Sequence, residues 1–318
     1  MPTFLVTGGA GFIGSHIVAA LVNRGDSVRV LDNLSTGHKT NLAGVADQIE
    51  FVRGDLTDAS LVAEVVRGVD CIFHEAALAS VPRSVQAPLD THAACVTGTL
   101  VLLDQARRAG VRRVVYAASS SCYGNQPHSS KRETDLPRPL SPYAAAKLAG
   151  EHYCQAFFHS YGLETVGLRY FNVFGPRQDP NSPYSAVIPL FITRMLAGEP
   201  PIVYGDGLQS RDFTYVDNVV AGNLLAADAP GVGGHSLNIA NGRTTTLLEL
   251  IATLQELLKV DIAAIHDPPR VGDVRESMAD ITLAREMLGY ETQVDFRTGL
   301  RRSIDYYCSV NRELQKGV

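Results

Sequence analysis

Tyr143 and Lys147 form the only Tyr-x-x-x-Lys of the chain, within "SPYAAAKLAGEHY", and three hydroxyls, Ser119, Ser120 and Ser121, lie just upstream. Four residues apart on a helix, two long polar side chains point the same way and can meet. A phenol is a poor base, with a reference pKa of about 10, but an adjacent ammonium favours the phenolate. The set can therefore move a proton, with the serine hydroxyl bonding the reacting oxygen. Its plain alternative is a surface pair on a helix behind a serine-rich turn.

A second motif supplies the hydride chemistry that such a device would serve. "TGGAGFIG" at 7–14 satisfies G-x-G-x-x-G with Gly9, Gly11 and Gly14, and Gly8 offers a second register. It follows an apolar strand and opens a helix, as a dinucleotide cradle requires: a tight turn, bare backbone beside the pyrophosphate, and N–H groups at the positive end of the helix. Asp32 ends the next strand, where a carboxylate accepts from an adenosine ribose and repels a 2′-phosphate; no arginine follows it, which favours NAD over NADP. Asp32 as a loop cap is the alternative. Asp55, in "RGDLTD", ends the third strand, either at the adenine edge or as a residue leading into a helix.

The elements that must position these groups alternate in type. Short apolar runs at 3–7, 27–32, 49–55, 70–77, 111–119 and 164–170 are separated by helical patterns near 12–24, 58–67, 91–109 and 143–161. That rhythm predicts an α/β fold, a doubly wound parallel Rossmann sheet, with residues 1–170 as the NAD-binding domain. Ligands lie at the C-terminal ends of such strands, where the serines, Tyr143 and the glycine loop can converge. Past Tyr170 the rhythm breaks into pieces rich in Pro and Gly and resumes with helices near 216–228, 246–259 and 297–314. We read 171–318 as a smaller, interleaved substrate-binding domain, with a stretch near 210–245 returning to the first.

Composition narrows the partners. A formal charge of −5, with no basic block, argues against nucleic acid or an anionic membrane surface. Five scattered cysteines without a C-x-x-C pair suggest neither zinc nor a disulfide framework, so no metal is expected. Without a signal-like start or a long apolar run, the sequence reads as soluble and cytoplasmic.

The order and spacing of "TGGAGFIGSHIV", "DNLSTG", "GDLTD", "HEAALASVPRSV", "SSSCYG", "SPYAAAK", "RYFNVFGPRQDP", "YGDGLQSRDFTYVDN" and "GDVRES" resemble the extended short-chain dehydrogenases/reductases, specifically the UDP-hexose 4-epimerases, over nearly the full length. The resemblance implies Ser119, Tyr143 and Lys147 as catalytic residues. It places NAD against Gly8, Gly11, Phe12, Ile13, Gly14, Asp32, Asn33, Asp55, Leu56, Ala76, Ala77, Tyr143 and Lys147. It places a UDP-sugar against Ser80, Ser119, Ser120, Ser121, Tyr143, Asn172, Arg211, Arg275 and Ser277, with Asn172 and the two arginines on the diphosphate. It also implies a homodimer through the helices near 91–109 and 143–161.

Two departures from the family bear on the reaction. Cys95 stands where many epimerases carry Asn, so a hydrogen bond near the cofactor is lost or taken over by a water or by Thr97. Ser120 and Ser121 replace the Asp-Glu pair of the 4,6-dehydratases, which argues against elimination. The small Ser277, at a position that gates the space beside C2 in these epimerases, implies that UDP-GlcNAc and UDP-GalNAc enter alongside UDP-glucose and UDP-galactose. A UDP-glucuronate 4-epimerase or decarboxylase, and a non-catalytic NAD-binding sensor, are the competing readings; the presence of both Tyr143 and Lys147 weighs against the sensor.

Overall fold

The computed structural model describes residues 1–180, 186–269 and 275–316. Seven parallel strands form the main sheet: β1 (Thr3–Thr7), β2 (Ser27–Asp32), β3 (Ile49–Arg53), β4 (Cys71–His74), β5 (Arg113–Ser119), β6 (Glu164–Tyr170) and β7 (Ser236–Ile239). Their spatial order is β7-β6-β5-β4-β1-β2-β3, so the winding reverses between β1 and β4. That reversal opens the crevice in which doubly wound sheets bind ligands. The predicted Rossmann architecture is therefore the observed one.

Central strands are apolar on both faces because helices cover both. Phe4, Leu5 and Val6 in β1 and Val114, Val115 and Tyr116 in β5 are all buried. On one side lie α1 (Phe12–Arg24) and α6 (Val216–Asp228); on the other, α2 (Ala59–Val65), α3 (Gly98–Ala109) and α4 (Pro142–Tyr161), giving two apolar clusters. A third gathers around α5 (Val187–Leu196), α7 (Leu247–Leu258) and α8 (Phe296–Lys316). Beside it, Thr245–Thr246, Ser210–Arg211, Glu276–Ala279 and Ser130–Lys131 make a small four-stranded sheet in that order. Segments far apart in sequence thus share one element.

Two features depart from the expected rhythm. Helical backbone begins earlier than residue 91, at Pro88, and passes through a π-helical turn at Ala93–Thr97 before α3. Proline suits a first helical position, whereas the apolar periodicity marks only the later, better packed turns. β7 was not foreseen: "SLNI" has only four residues and two polar ones, yet all four are buried because the strand pairs with β6 along its whole length.

A buried ion pair ties the sheet to α4. Glu151 accepts from Arg169 Nε at 3.0 Å, both side chains being almost inaccessible, and Arg169 Nη1 donates to the Tyr123 hydroxyl at 2.8 Å. Tyr123 in turn donates to Asn238 on β7 at 2.6 Å. Removing one charge strands the other. Glu151→Ala is therefore expected to cost about 3–5 kcal/mol in denaturant unfolding, and Glu151→Gln less; an unchanged midpoint for the alanine variant would show that the pair is solvated.

Candidate functional site

The catalytic candidates meet at the C-terminal ends of β4, β5 and β6. Ser141 caps α4 by accepting from Ala144 N at 3.1 Å, and Pro142 occupies its first turn, so Tyr143 starts the helix. Its phenol lies near Ser119, the last residue of β5, whose hydroxyl favours the phenolate. The Ser119 hydroxyl also lies 2.8 Å from that of Ser121 and accepts from Ser121 N at 3.2 Å, while Ser120 sits in the same 3-10 turn. One turn along, Lys147 is buried with Nζ 4.7 Å from the centre of the Tyr116 ring, and the Tyr116 hydroxyl donates to the Lys147 carbonyl. Tyr116 was invisible in the sequence because it reads as one more β5 core residue.

The electrostatics differ from the simple expectation that lysine lowers the phenol. Burial pushes Tyr143 up, with Cys95 and Glu75 adding to the effect and only the Ser119 hydroxyl opposing it. Burial likewise lowers Lys147, against the pull of Cys95, Glu75 and Cys154. The ammonium faces the Tyr116 π-cloud, so the chain alone does not activate the phenol; a further positive charge in the site would. Burial pushes the Cys122 thiol up to about 12, which leaves it unreactive.

Cys95 lies within the π-helical turn, buried, and its carbonyl accepts from the Thr99 hydroxyl at 2.7 Å. Thr97 is exposed and does not serve the buried side, which corrects the expectation that it takes over a bond there. Thr99 also lies 2.9 Å from His74 Nε2, and His74 Nδ1 lies 2.8 Å from the Thr7 hydroxyl. Because Thr99 spends its proton on Cys95, it must accept from Nε2–H, and Thr7 then donates to Nδ1. Burial lowers His74 to about 3, so the ring is neutral and pins β1, β4 and α3 together.

The glycine loop is built for a close-lying phosphate backbone. Gly8 has φ 68°, and a Cβ there would sit 2.7 Å from Ala76 Cα; one at Gly14 would sit 2.3 Å from the Gly8 carbonyl oxygen. No side chain caps α1 at Gly11 and no acid lies in its first turn, so the amides around Phe12 and Ile13 face outward for an anion. Asp32 is buried, accepting from Ala10 N at 2.9 Å and Leu34 N at 2.7 Å, which braces the loop and leaves lone pairs for hydroxyls. Asn33 donates to Asp55 at 2.7 Å, and Thr57 N and its hydroxyl, with Asn33, hold Asp55 below the usual carboxylate range. Asp58, not Asp55, caps α2. Leu56 packs against Gly98, and Ala77 against Cys95, Val96 and Ala146. These residues fit an adenine dinucleotide.

The substrate candidates form a separate group. Ser210–Arg211 runs parallel to Glu276–Ala279, with Arg211 opposite Ser277, and Arg211 Nη1 donates to the Ser210 carbonyl at 2.8 Å and the Arg275 carbonyl at 3.4 Å. Arg275 pairs with Asp206 at 3.2 Å while remaining largely exposed. Asn172 is exposed at φ 32°, a left-handed conformation that Asn tolerates better than most side chains, and donates to the Asp212 carbonyl at 3.4 Å. The buried Asp212 carboxylate accepts from Asn241, Gly242 and Ala279 amides, fastening both short strands to the loop after β7. Ser80 is drawn into capping the turn Val81–Gln86, its oxygen accepting from Arg83 N, which leaves its proton and one lone pair for a ligand. Sequence reasoning missed Asp212 and Asp206, whose partners, backbone amides for the one and the Arg275 guanidinium for the other, lie up to 69 residues away.

Among the described residues no three acidic, His or Cys side chains form a metal cluster, and no helix is long and apolar enough to cross a membrane. Replacing Gly14 by alanine is expected to weaken dinucleotide binding at least about tenfold, about 1.4 kcal/mol, read as loss of dinucleotide from the purified protein. Undiminished content would show that the loop yields.

Residues 4–240 match the family described as "NAD dependent epimerase/dehydratase family". A UDP-glucose 4-epimerase of Mycolicibacterium smegmatis is 40% identical over 308 residues, covering 95% of this chain and 97% of that protein. Among solved structures, a UDP-N-acetylglucosamine 4-epimerase from Methanobrevibacter ruminantium, in complex with UDP-N-acetylmuramic acid, superposes with a TM-score of 0.93 at 40% identity, covering 97% of this chain and 99% of that one. A UDP-glucose 4-epimerase from Thermotoga maritima with UDP-glucose gives 0.93 at 39% identity, with the same coverage.

Proposed function

Because the chain belongs to the NAD dependent epimerase/dehydratase family, we propose that it inverts C4 of UDP-sugars, with UDP-GlcNAc and UDP-GalNAc accepted alongside UDP-glucose and UDP-galactose. The observation that carries this reading is the neighbouring Ser119 and Tyr143 with Lys147 one turn on, at the sheet edge that also bears the glycine loop. NAD, when bound, supplies the acceptor that takes a hydride from C4 and later returns it.

Tyr143 takes the proton of the 4′-hydroxyl as the C4–H bond breaks, leaving a 4-keto sugar, and gives it back when hydride returns to the other face. Ser119 donates to the sugar oxygen throughout. Lys147 holds the cofactor ribose; burial lowers it, and Cys95, Glu75 and Cys154 work against that lowering. Arg211, Arg275 and Asn172 grip the diphosphate, while few groups grip the ring, so the ketone can turn over between the two hydride steps. Cofactor retention between turnovers follows, since a lost NADH would strand the ketone.

Ser277, opposite Arg211 in the small sheet, leaves room beside C2 for an N-acetyl group. Residues 1–170 and a returning stretch near 210–245 carry the cofactor, and most of 171–318 carries the sugar nucleotide. An apolar recess of about 570 Å³ between α3 and α4, lined by Leu100, Val101, Tyr153, Ala156, Phe157 and Tyr161, suits a homodimer through those helices.

Incubating the purified protein, without added cofactor, with UDP-GlcNAc or UDP-glucose is expected to yield the C4 epimers by NMR. Tyr143→Phe should lower kcat by about 10²–10⁴. Ser277→Tyr should abolish turnover of UDP-GlcNAc and spare UDP-glucose. Conversion of UDP-glucuronate alone would overturn the substrate assignment, and equal turnover of both sugars by the tyrosine variant would overturn the role of Ser277.

A further inference from the structure

One half-buried acid has no part in the chemistry above. Glu75 follows β4 directly, its amide donating to the Thr7 carbonyl at 3.1 Å, and its backbone abuts Gly8. The Tyr170 hydroxyl, at the end of β6, donates to Glu75 Oε1 at 2.8 Å. Asn223 on α6 donates one amide proton to the Val219 carbonyl at 2.9 Å and the other to the Tyr170 oxygen at 2.8 Å. The Tyr170 hydroxyl also lies 3.1 Å from Asn223 Oδ1, and of the two acceptors the nearer, charged carboxylate binds its single proton more strongly. Three elements are thus arranged to stabilise a negative charge at position 75.

The groups facing that charge are the ones that react. Lys147 and Tyr143 from α4 both interact with it, Lys147 favourably and Tyr143 unfavourably; Tyr170 faces it from β6, and α6 presents only the neutral Asn223. Burial, opposed by the Tyr170 donor and the Lys147 ammonium, leaves the Glu75 carboxyl raised to about 7, so a cationic ring arriving in the site draws it to the carboxylate. A glutamine would fill the same space and accept the same bond without the cost of burying a charge. A carboxylate there is best explained by what its charge does.

We propose that Glu75, held by Tyr170 and Asn223 at the end of β4 where the glycine loop passes, is a positioning residue that presents a negative charge to the bound dinucleotide and biases it toward its oxidised form. This rests on the reading of the site as an NAD-dependent epimerase centre. The oxidised nicotinamide ring is cationic and the reduced ring neutral, so a nearby carboxylate stabilises only the former. The same charge compensates Lys147 in a site where burial works against the ammonium. The enzyme then starts each turnover ready to accept hydride.

The test uses the purified protein with its bound dinucleotide, poised with redox dyes, and reads bound reduced nicotinamide by absorbance. Glu75→Gln is expected to raise the reduced-to-oxidised ratio at fixed potential about tenfold, about 30 mV for a two-electron couple. Glu75→Asp should stay near the parent, and Tyr170→Phe should shift part of the way. Loss of the charge also relieves Tyr143, so the acidic limb of the pH–rate profile of Glu75→Gln should move to lower pH. If the parent epimerises and the glutamine variant keeps both its ratio and its acidic limb, losing only thermal stability, the proposal is overturned. A parent that holds no dinucleotide overturns the underlying reading, and this proposal with it.

Discussion

Backbone meets backbone where the glycine loop passes β4, and the rest of the site depends on that approach. A Cβ at Gly8 would meet Ala76 Cα and N at 2.7 Å, and one at Gly14 would enter the Gly8 carbonyl. With no side chains between them, β1 can release its chain into α1 within four residues of Gly8, and the amides at the helix start are left facing out. The same contact brings Glu75 and Ala76 to the cofactor crevice. Cofactor cradle and proton-transfer wall are therefore two sides of one contact.

Inside that wall, burial is the dominant electrostatic fact. It raises Tyr143 and lowers Lys147, the reverse of what a phenol and an ammonium need to work as base and cation. The compensations come from other strands: Tyr116 under the ammonium, Ser119 for the phenol, and Glu75 for the ammonium alone, since its charge raises Tyr143 further. Such a site stays poorly activated until a cationic ring joins it, which couples acid–base readiness to the presence of oxidised cofactor. The chain and its NAD form one catalytic unit in this view.

On the substrate side, position is set by main-chain bonds to buried acceptors. Asp212 gathers three amides from one loop and one strand, and through them Arg211 and Ser277 sit opposite each other on strands that no local propensity would have produced. Two-residue strands cannot persist alone, so this sheet exists because the third apolar cluster and the Asp212 clamp hold its ends. Loose contact with a sugar ring and a firm hold on its diphosphate are compatible with such a construction.

The sequence by itself determined the parallel fold, the dinucleotide loop and the placing of Tyr143 and Lys147 one turn apart on a single helix, because these depend on local spacing: glycines where backbones must touch, apolar runs of strand length, and four residues along a helix. It also showed Arg211 and Arg275, though only through resemblance. β7 escaped notice because its burial is supplied by β6 and not by its own four residues. Tyr116, Glu75 and Asp212 look like core, loop and surface residues in one dimension. Only the tertiary structure decided their partners, since a side chain's charge and hydrogen bonds depend on what other strands bring within about 3 Å of it, and that information is spread along the chain.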